Sequence, residues 1–225
     1  MKKLFALLLV ICCIFACASC GEEEAPAGTT PEEVKAISDI INSSNPTQIS
    51  TNTEYVLGED KYVGYYETQI DIAAGKSMFT YNYQRPASIE EMNPDGNVKT
   101  VVGTVYYQDG QISVNEGETW NAADSHYIEL HISIDAVKLK EYTVSEDGKV
   151  LVAKCAAADA SRVLGAEISA EGDVSITVTT NGQYLYNIRV EYVAASTGAT
   201  VVVDTSYDYR ATTLKFPGEP VAEQQ

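Results

Sequence analysis

Apolar and polar residues alternate along most of the chain beyond residue 48, which is the period of a strand with one buried face. The alternation is clearest where Val174, Ile176 and Val178 are interleaved with serine and threonine. Turn residues separate the alternating segments, which indicates a succession of antiparallel strands. The predicted strands are residues 49–57, 62–73, 77–83, 98–107, 111–114, 149–155, 173–180, 183–194 and 199–216.

A helix is predicted before the first strand. Thr30 is a suitable N-cap residue and Pro31 fits the first helical position, with two glutamates after it. The segment then carries apolar residues at helical spacing and ends near Asn42. This apolar stripe consists of Val34, Ile37, Ile40 and Ile41.

Shorter sequence patterns predict further helices and turns in the rest of the chain. Residues 159–165 predict a second, short helix, capped by its first Asp and ended by Gly. Residues 136–142 fit either a short helix or an irregular crossing. We expect two-residue hairpin turns at Asp109-Gly110 and Asn181-Gly182, and a turn at residues 93–97.

A broad sheet with one apolar face needs a cover. We therefore predict a single α+β domain over residues 31–217, built on a broad curved antiparallel sheet. The N-terminal helix and the short helical insertion would cover its concave apolar face. Because so few helices are available, we expect the sheet to curl into an open half-barrel. Residues 218–225 are predicted to be a disordered tail.

The N-terminus has the layout of a secretory signal peptide: two lysines, an uncharged apolar run, and then Ser19 and Cys20 before a polar segment. The run of about fifteen apolar residues is too short for an uncleaved spanning helix, which needs about 20. The segment resembles a bacterial lipoprotein signal, although Cys17 stands where leucine is commonest. The resemblance implies a signal peptide over residues 1–19, a diacylglycerol on Cys20, and a flexible tether to residue 30.

The net charge limits the classes of binding partner, and the cysteine content limits the disulfides that the chain can form. Removal of residues 1–19 takes away two lysines, so the formal net charge changes from −17 to −19. Such a chain repels nucleic acid and anionic headgroups, so the predicted anchor must provide membrane attachment. Cys155 is the one unmodified cysteine of the expected mature chain, which therefore forms no intramolecular disulfide. We interpret Cys155 as a packing residue within an apolar strand.

Candidate catalytic and metal-binding residues are few. His126 and His131 are five residues apart, which directs them away from each other on a helix or a strand. No further His or Cys completes a metal site. Trp120 and nearby acids resemble half of a sugar site, but those acids come from one stretch of chain. They are Glu116, Glu118, Asp124 and Asp135. We predict no enzyme activity, no metal and no cofactor.

The fifteen tyrosines are the one unusual feature of the composition. Most of them fall in predicted strands, and the strand propensity of tyrosine accounts for that placement. The alternative is an amphipathic wall, with rings against an apolar ligand or partner and hydroxyls toward water.

With these elements in place, the chain resembles the LolA/LppX-like lipoprotein-carrier superfamily. The shared features are the acylated N-terminus, one amphipathic helix, a long antiparallel meander with a helical interruption, and a Tyr-rich closing strand. More narrowly, four segments resemble small uncharacterised lipoproteins of clostridial-type gut anaerobes. They are EYTVSEDG at 141–148, ASRVLG at 160–165, VSITVTTNG at 174–182 and SYDY at 206–209. The resemblance implies a half-barrel with a lipid pocket and supplies no catalytic residues.

The sequence thus predicts a non-catalytic lipoprotein, anchored to the extracytoplasmic face of the cell membrane, that binds a lipid or other hydrophobic ligand. The alternative is a structural or sensory envelope module that has a filled core and binds another protein. The candidate ligand-binding residues are Ile37, Ile41, Phe79, Tyr81, Ile176, Val178, Ile188 and Val190.

Overall fold

The computed structural model describes residues 32–86, 98–114, 121–122, 138–164 and 168–216. Several predictions lie outside the described residues. They are the signal peptide (1–19), the lipidated Cys20 and its tether (20–30), the turn at 93–97, Trp120 with Glu116, Glu118, Asp124 and Asp135, both histidines, and the tail (218–225).

The described residues form two helices and one antiparallel sheet of eleven strands. The helices are α1 (Glu32–Ser43) and α2 (Ala157–Leu164). The strands are β1 (Gln48–Leu57), β2 (Asp60–Asp71), β3 (Lys76–Pro86), β4 (Val98–Gln108), β5 (Gln111–Val114), β6 (Asn121–Ala122), β7 (Leu139–Val144), β8 (Val150–Cys155), β9 (Ala170–Thr180), β10 (Leu185–Ala194) and β11 (Thr200–Asp208).

The strands are hydrogen-bonded in the order β6-β5-β4-β3-β2-β1-β11-β10-β9-β8-β7. Since β6 and β7 end this order, the described strands form an open sheet. The predicted α+β fold with a broad, open antiparallel sheet is therefore confirmed. Neither described helix is long and apolar enough to cross a membrane.

The chain divides into two compact units. Unit 1 comprises residues 1–45, 54–61 and 129–206, and unit 2 comprises residues 46–53, 62–128 and 207–225. Three strands, β1, β2 and β11, contribute residues to both units.

Unit 1 has an aliphatic core. On β9, Val178 lies opposite Leu151 of β8 and Ile188 of β10, and Ile176 lies opposite Val190 of β10. All five side chains are buried. The face of the sheet that they share is a continuous aliphatic surface, as expected for a sheet covered on one side.

Helix α1 completes this core. Val34, Ile37 and Ile41 recur at helical spacing, and each is fully buried in the core. The exposed side of α1 carries an ion pair between Lys35 Nζ and Asp39 Oδ2, 2.6 Å apart. The predicted amphipathic helix is confirmed, because three of the four residues of its stripe are buried, while Ile40 has intermediate exposure.

Ser44 joins the end of α1 to β10. Its hydroxyl donates to the carbonyl oxygen of Ile40 at 2.7 Å and accepts from the backbone N–H of Leu185 at 3.1 Å. Leu185 is fully buried, so this hydroxyl satisfies a donor that water does not reach.

Helix α2 begins at Ala157, two residues earlier than predicted. Asp159 therefore lies in the first turn, where its charge suits the helix dipole, and is not the cap. Ala160 and Val163 are fully buried, and α2 packs on β8 and β9. The predicted end of this helix at Gly165 lies outside the described residues.

Residues 136–142 are corrected by the structure, because residues 139–144 form strand β7. No side chain of β7 is buried, so the segment lacks the apolar alternation by which a strand is recognised. As the last strand of the sheet, β7 pairs with β8 alone in the described part of the chain. Charged Lys140 and Glu141 on this edge are typical protection against further strand pairing.

One of the two predicted hairpin turns is confirmed. Asp109 and Gly110 connect β4 to β5 with φ of 52° and 73°. Positive φ at both positions is the geometry of a type I′ turn, which matches the twist of the flanking strands.

The hairpin predicted at Asn181-Gly182 is confirmed, because β9 and β10 pair antiparallel, but the two-residue length expected for its turn is wrong. The connection from β9 to β10 has four residues, 181–184, and not two. Asn181 explains the difference, because its Oδ1 accepts from the backbone N–H groups of Gln183 at 3.0 Å and Tyr184 at 2.8 Å. The register shifts between Leu185 and Asn187, and consequently Leu185 is buried while Tyr186 is 61% exposed. Strict alternation with Ile188 and Val190 would place Tyr186 on the buried face.

The last predicted strand is too long, because β11 ends at Asp208. Residues 209–216 continue as an irregular strap on unit 2. The Leu214 N–H donates to Asp71 Oδ2 at 3.1 Å, and the Phe216 ring meets Tyr106 edge-on at 5.2 Å between centroids. Leu214 and Phe216 alternate as strand residues would, but they are buried by these contacts.

Polar contacts at the start of the strap stabilise its departure from β11. The Thr47 hydroxyl donates to the Arg210 carbonyl oxygen at 2.6 Å. The Arg210 guanidinium donates to the carboxylate of Asp208 and lowers the pKa of that carboxyl to about 2.

Replacing Ser44 should destabilise the protein. Ser44→Ala removes the hydroxyl that accepts from the buried Leu185 N–H, and we expect the free energy of unfolding to fall by about 1–3 kcal/mol. Urea denaturation followed by circular dichroism measures this change. The control is Ser43→Ala, whose exposed hydroxyl also bonds to the Ile40 carbonyl oxygen, and for which we expect a loss within about 0.5 kcal/mol. Equal losses in the two variants would contradict the role given to Ser44.

The strap should contribute to stability through Phe216. Phe216→Ala removes a buried ring from Tyr106 and from Lys76 Nζ, which lies 5.1 Å from the ring centroid. We expect a loss of about 3 kcal/mol in urea denaturation. Lys215→Ala, at the exposed neighbouring position, should change stability by less than about 0.5 kcal/mol. A Phe216→Ala protein as stable as the parent would show that the strap is not docked in solution.

Candidate functional site

Four aromatic side chains are aligned on one face of unit 2. Each neighbouring pair of rings has its centroids between 5.9 and 6.4 Å apart, and two of the pairs are nearly parallel. Tyr81 of β3 lies opposite Tyr66 of β2, which fixes the register of the group. We call this group the aromatic ladder; it consists of Tyr66, Phe79, Tyr81 and Tyr83.

Two glycines make room for the rings. A Cβ atom on Gly103 would lie 2.2 Å from the hydroxyl oxygen of Tyr81, directly opposite on the neighbouring strand. A Cβ atom on Gly64 would lie 2.5 Å from Thr53 Oγ1 and 2.9 Å from the ring of Tyr66. The Tyr81 and Tyr66 rings therefore occupy space that a larger residue would fill, a known use of glycine within strands.

The ladder is neither fully buried nor open. Tyr66 is 7% exposed, whereas Phe79, Tyr81 and Tyr83 have intermediate exposure. Hydroxyl groups accompany the rings, because Thr68 of β2 lies opposite Phe79 and is buried. The buried face of unit 2 is thus aromatic and hydroxylated, in contrast to the aliphatic face of unit 1.

The eight predicted ligand-binding residues are divided between the units. Phe79 and Tyr81 belong to the ladder of unit 2. The other six are buried in the core of unit 1. These six are Ile37, Ile41, Ile176, Val178, Ile188 and Val190. Their role as a pocket lining stays a prediction.

An open depression of about 360 Å³ lies at one end of unit 2, where β2 turns into β3 and β4 turns into β5. Ile72, Gly75, Tyr107 and Asp109 line it, and none of the eight predicted residues borders it. Ile72 is 61% exposed, so the depression has an apolar rim at the surface.

A polar cluster occupies the other face of β2. The Glu67 carboxylate accepts hydrogen bonds from Gln48 Nε2 at 3.0 Å, from Gln69 Nε2 at 2.6 Å and from the hydroxyl of Tyr65. Desolvation and the bond to Glu67 raise the pKa of Tyr65. Three neutral donors thus hold the Glu67 carboxylate as a structural acceptor.

Cys155 has the environment of a packing residue. Its side chain is fully buried, and desolvation together with the nearby carboxylates of Asp159 and Asp173 raises the pKa of the thiol. Its chemistry is therefore that of a neutral thiol, which supports the interpretation made from sequence. Within the described ranges, no three His, Cys, Asp or Glu side chains gather as a metal-ligand set.

Sequence reasoning missed two residues of the ladder's surroundings. Gly103 was detectable in principle, because a glycine inside an alternating strand often marks a close approach. Ser77, which is 1% exposed at the end of β3 nearest the depression, carries no local signal.

No family model and no curated protein sequence matches the chain. Several solved structures are similar to it. The hypothetical protein CT021 from Chlamydia trachomatis is 7% identical, with 82% of this chain and 97% of that chain covered and a TM-score of 0.33. A DUF1329 family protein from Desulfovibrio piger is 10% identical, with 81% and 92% covered and a TM-score of 0.25. The bifunctional dehydratase-cyclase domain in ambruticin biosynthesis is 10% identical, with 78% and 81% covered and a TM-score of 0.19. These scores establish neither a family nor a function for the chain.

Proposed function

We propose that the chain is a membrane-anchored, extracytoplasmic, non-catalytic lipoprotein that binds a lipid or other hydrophobic ligand against the aromatic ladder. One observation carries the proposal. Phe79, Tyr81 and Tyr83 keep intermediate exposure, as do Val101 and Val105 opposite them, although the neighbouring β2 positions of the same face are buried. Aromatic side chains that retain accessible surface on a buried face are typical of ligand-binding walls.

The aliphatic core of unit 1 is less suited to a ligand. Val34, Ile37 and Ile41 of α1 are fully buried, and so are Ala160 and Val163 of α2. Side chains packed to this degree leave little space, because protein interiors are close-packed. The two helices thus cover the core of unit 1, and we place the ligand on unit 2 instead.

The anchor is the second part of the proposal. A diacylglycerol on Cys20 supplies two acyl chains, which are sufficient for stable membrane attachment where one is marginal. The formal charge of −19 on the mature chain prevents adhesion of the protein surface to anionic lipids. The domain would therefore remain mobile beside the membrane, within reach of lipids, while its own surface stays free of the bilayer.

A different observation favours an alternative function. Six of the eight residues predicted to line a pocket are core residues of unit 1. A chain whose unit 2 was filled in the same way would have no space for a ligand. It would then be a structural or sensory envelope module that binds another protein.

Binding of a hydrophobic probe tests the ligand proposal. We expect residues 21–225, purified without detergent, to enhance the fluorescence of diphenylhexatriene, an uncharged hydrocarbon. Tyr81→Ala removes a ring from the ladder and should weaken probe binding about tenfold. Gly103→Ala should act in the same direction, because its Cβ displaces the Tyr81 ring without deleting it.

The matched control is Tyr186→Ala, which removes an exposed tyrosine of unit 1. It should leave probe affinity unchanged. Equal affinities for the Tyr81→Ala and Tyr186→Ala variants would contradict a ligand at the ladder, and absence of probe binding by the parent would favour the protein-binding alternative.

Fractionation tests the anchor. In cells, Cys20→Ala should move the protein from the membrane fraction to the soluble extracytoplasmic or secreted fraction, because no acyl chain can be attached. Cys17→Ala, three residues earlier in the same signal, should remain in the membrane fraction. A Cys20→Ala protein that still sediments with membranes would contradict the proposal that the chain is a lipoprotein.

A further inference from the structure

The aromatic ladder ends at a buried hydroxyl without a partner. Ser77 lies two residues before Phe79 on the same face of β3, opposite Ile70 of β2 and Tyr107 of β4. It is 1% exposed, and its Oγ makes no hydrogen bond within the described residues. Buried hydroxyls in folded proteins nearly always have a partner, so a group that lacks one requires an explanation.

This end of the ladder is also the end that reaches the surface. Tyr107 lies directly opposite Ser77 and lines the open depression, together with Ile72, Gly75 and Asp109. Three features therefore follow one another along a single face of unit 2. They are the accessible depression, the unpaired buried hydroxyl of Ser77 and the half-buried rings of the ladder.

The positions of this face between Ser77 and Tyr83 carry no charged residue. The register places only Gly, Tyr, Thr, Ile, Ser, Phe and Val there. They are Gly64, Tyr66, Thr68 and Ile70 of β2, Ser77, Phe79, Tyr81 and Tyr83 of β3, and Val101, Gly103, Val105 and Tyr107 of β4. The cation next to Ser77 in sequence, Lys76, is placed over the ring of Phe216. An anionic headgroup would find no cation at these positions of the described strands, and Asp109, which lines the depression, would repel it.

We propose that the ladder selects an uncharged amphiphile, whose apolar part contacts Phe79 and Tyr81 while a hydroxyl or carbonyl oxygen of its head pairs with Ser77 Oγ. This inference rests on the proposed function and adds the class of ligand and a residue that determines specificity. Monoacylglycerols and diacylglycerols have this chemistry, whereas fatty acids and phospholipids carry an anionic group. The acidic net charge of the chain acts in the same direction, because it repels anions.

Competition between two lipids with the same acyl chain tests the selectivity. Residues 21–225 are loaded with diphenylhexatriene, which forms no hydrogen bond, and titrated at pH 8 with 1-lauroylglycerol or with laurate. We expect 1-lauroylglycerol to displace the probe at a concentration at least tenfold lower. Ser77→Ala should raise the concentration of 1-lauroylglycerol required by about threefold to tenfold and leave the affinity for the probe unchanged.

Ser113→Ala is the matched control. Ser113 is also 1% exposed with an unpaired Oγ, but it lies opposite Tyr106, on the other face of unit 2. Its replacement should alter neither titration. Displacement by laurate at the same concentration as 1-lauroylglycerol would overturn the inference, and so would an unchanged titration of Ser77→Ala. Neither result would contradict the proposed function, since the probe would still bind. A parent protein that does not bind the probe would contradict both the proposed function and the selectivity for uncharged lipids.

Thermal denaturation without lipid provides a second, independent measurement. If Ser77 Oγ is unpaired in the free protein, Ser77→Ala removes a desolvated group and should raise the Tm. Saturating 1-lauroylglycerol should then raise the Tm of the parent more than that of Ser77→Ala. A Tm lowered by Ser77→Ala in the absence of lipid would show that the hydroxyl already has a partner and would overturn the inference.

Discussion

Burial of one aliphatic face beneath two short helices is the interaction on which unit 1 depends. Cys155 is part of this core and is a free thiol. Within the described residues, packing therefore stabilises unit 1 without the help of a disulfide. Helix α1 contributes three fully buried side chains, and Ser44 ties the end of α1 to β10.

The two units use the same backbone architecture for different surfaces. Valine, isoleucine and leucine cover the buried face of unit 1, which the helices seal. Aromatic and hydroxyl-bearing side chains cover the ladder face of unit 2, where Gly64 and Gly103 let the rings lie close to the strands. The hydroxyl groups of such a face need hydrogen-bond partners, and its aromatic rings stay partly accessible. The face is therefore poorly suited to a fully apolar core. Those same properties suit an amphiphile, and for that reason we place the ligand there.

Local patterns predicted the elements whose determinants are local. The stripe of α1 and the Asp109-Gly110 turn depend on residues a few positions apart, and both were correct. Asn181-Gly182 has the same turn signal, but the Asn181 side chain binds two backbone N–H groups and lengthens the connection. Strand β7 was missed because an edge strand without a buried face has no alternation to detect.

The candidate site was only partly predictable for a similar reason. Phe79 and Tyr81 were chosen from alternation, and the structure places both in the ladder. The pairing of Tyr81 with Gly103, and of Ser77 with Tyr107, depends on strand register between segments more than twenty residues apart. The strap was mistaken for strand because Leu214 and Phe216 alternate, although their burial comes from contacts with Asp71 and Tyr106.

Native mass spectrometry of residues 21–225, purified without detergent and followed by lipid extraction, tests the central claim most directly. The account predicts a stoichiometric complex whose extracted component is an uncharged lipid. A bare protein mass that stays unchanged after incubation with bacterial lipids would contradict it and leave a protein-binding module with a filled core.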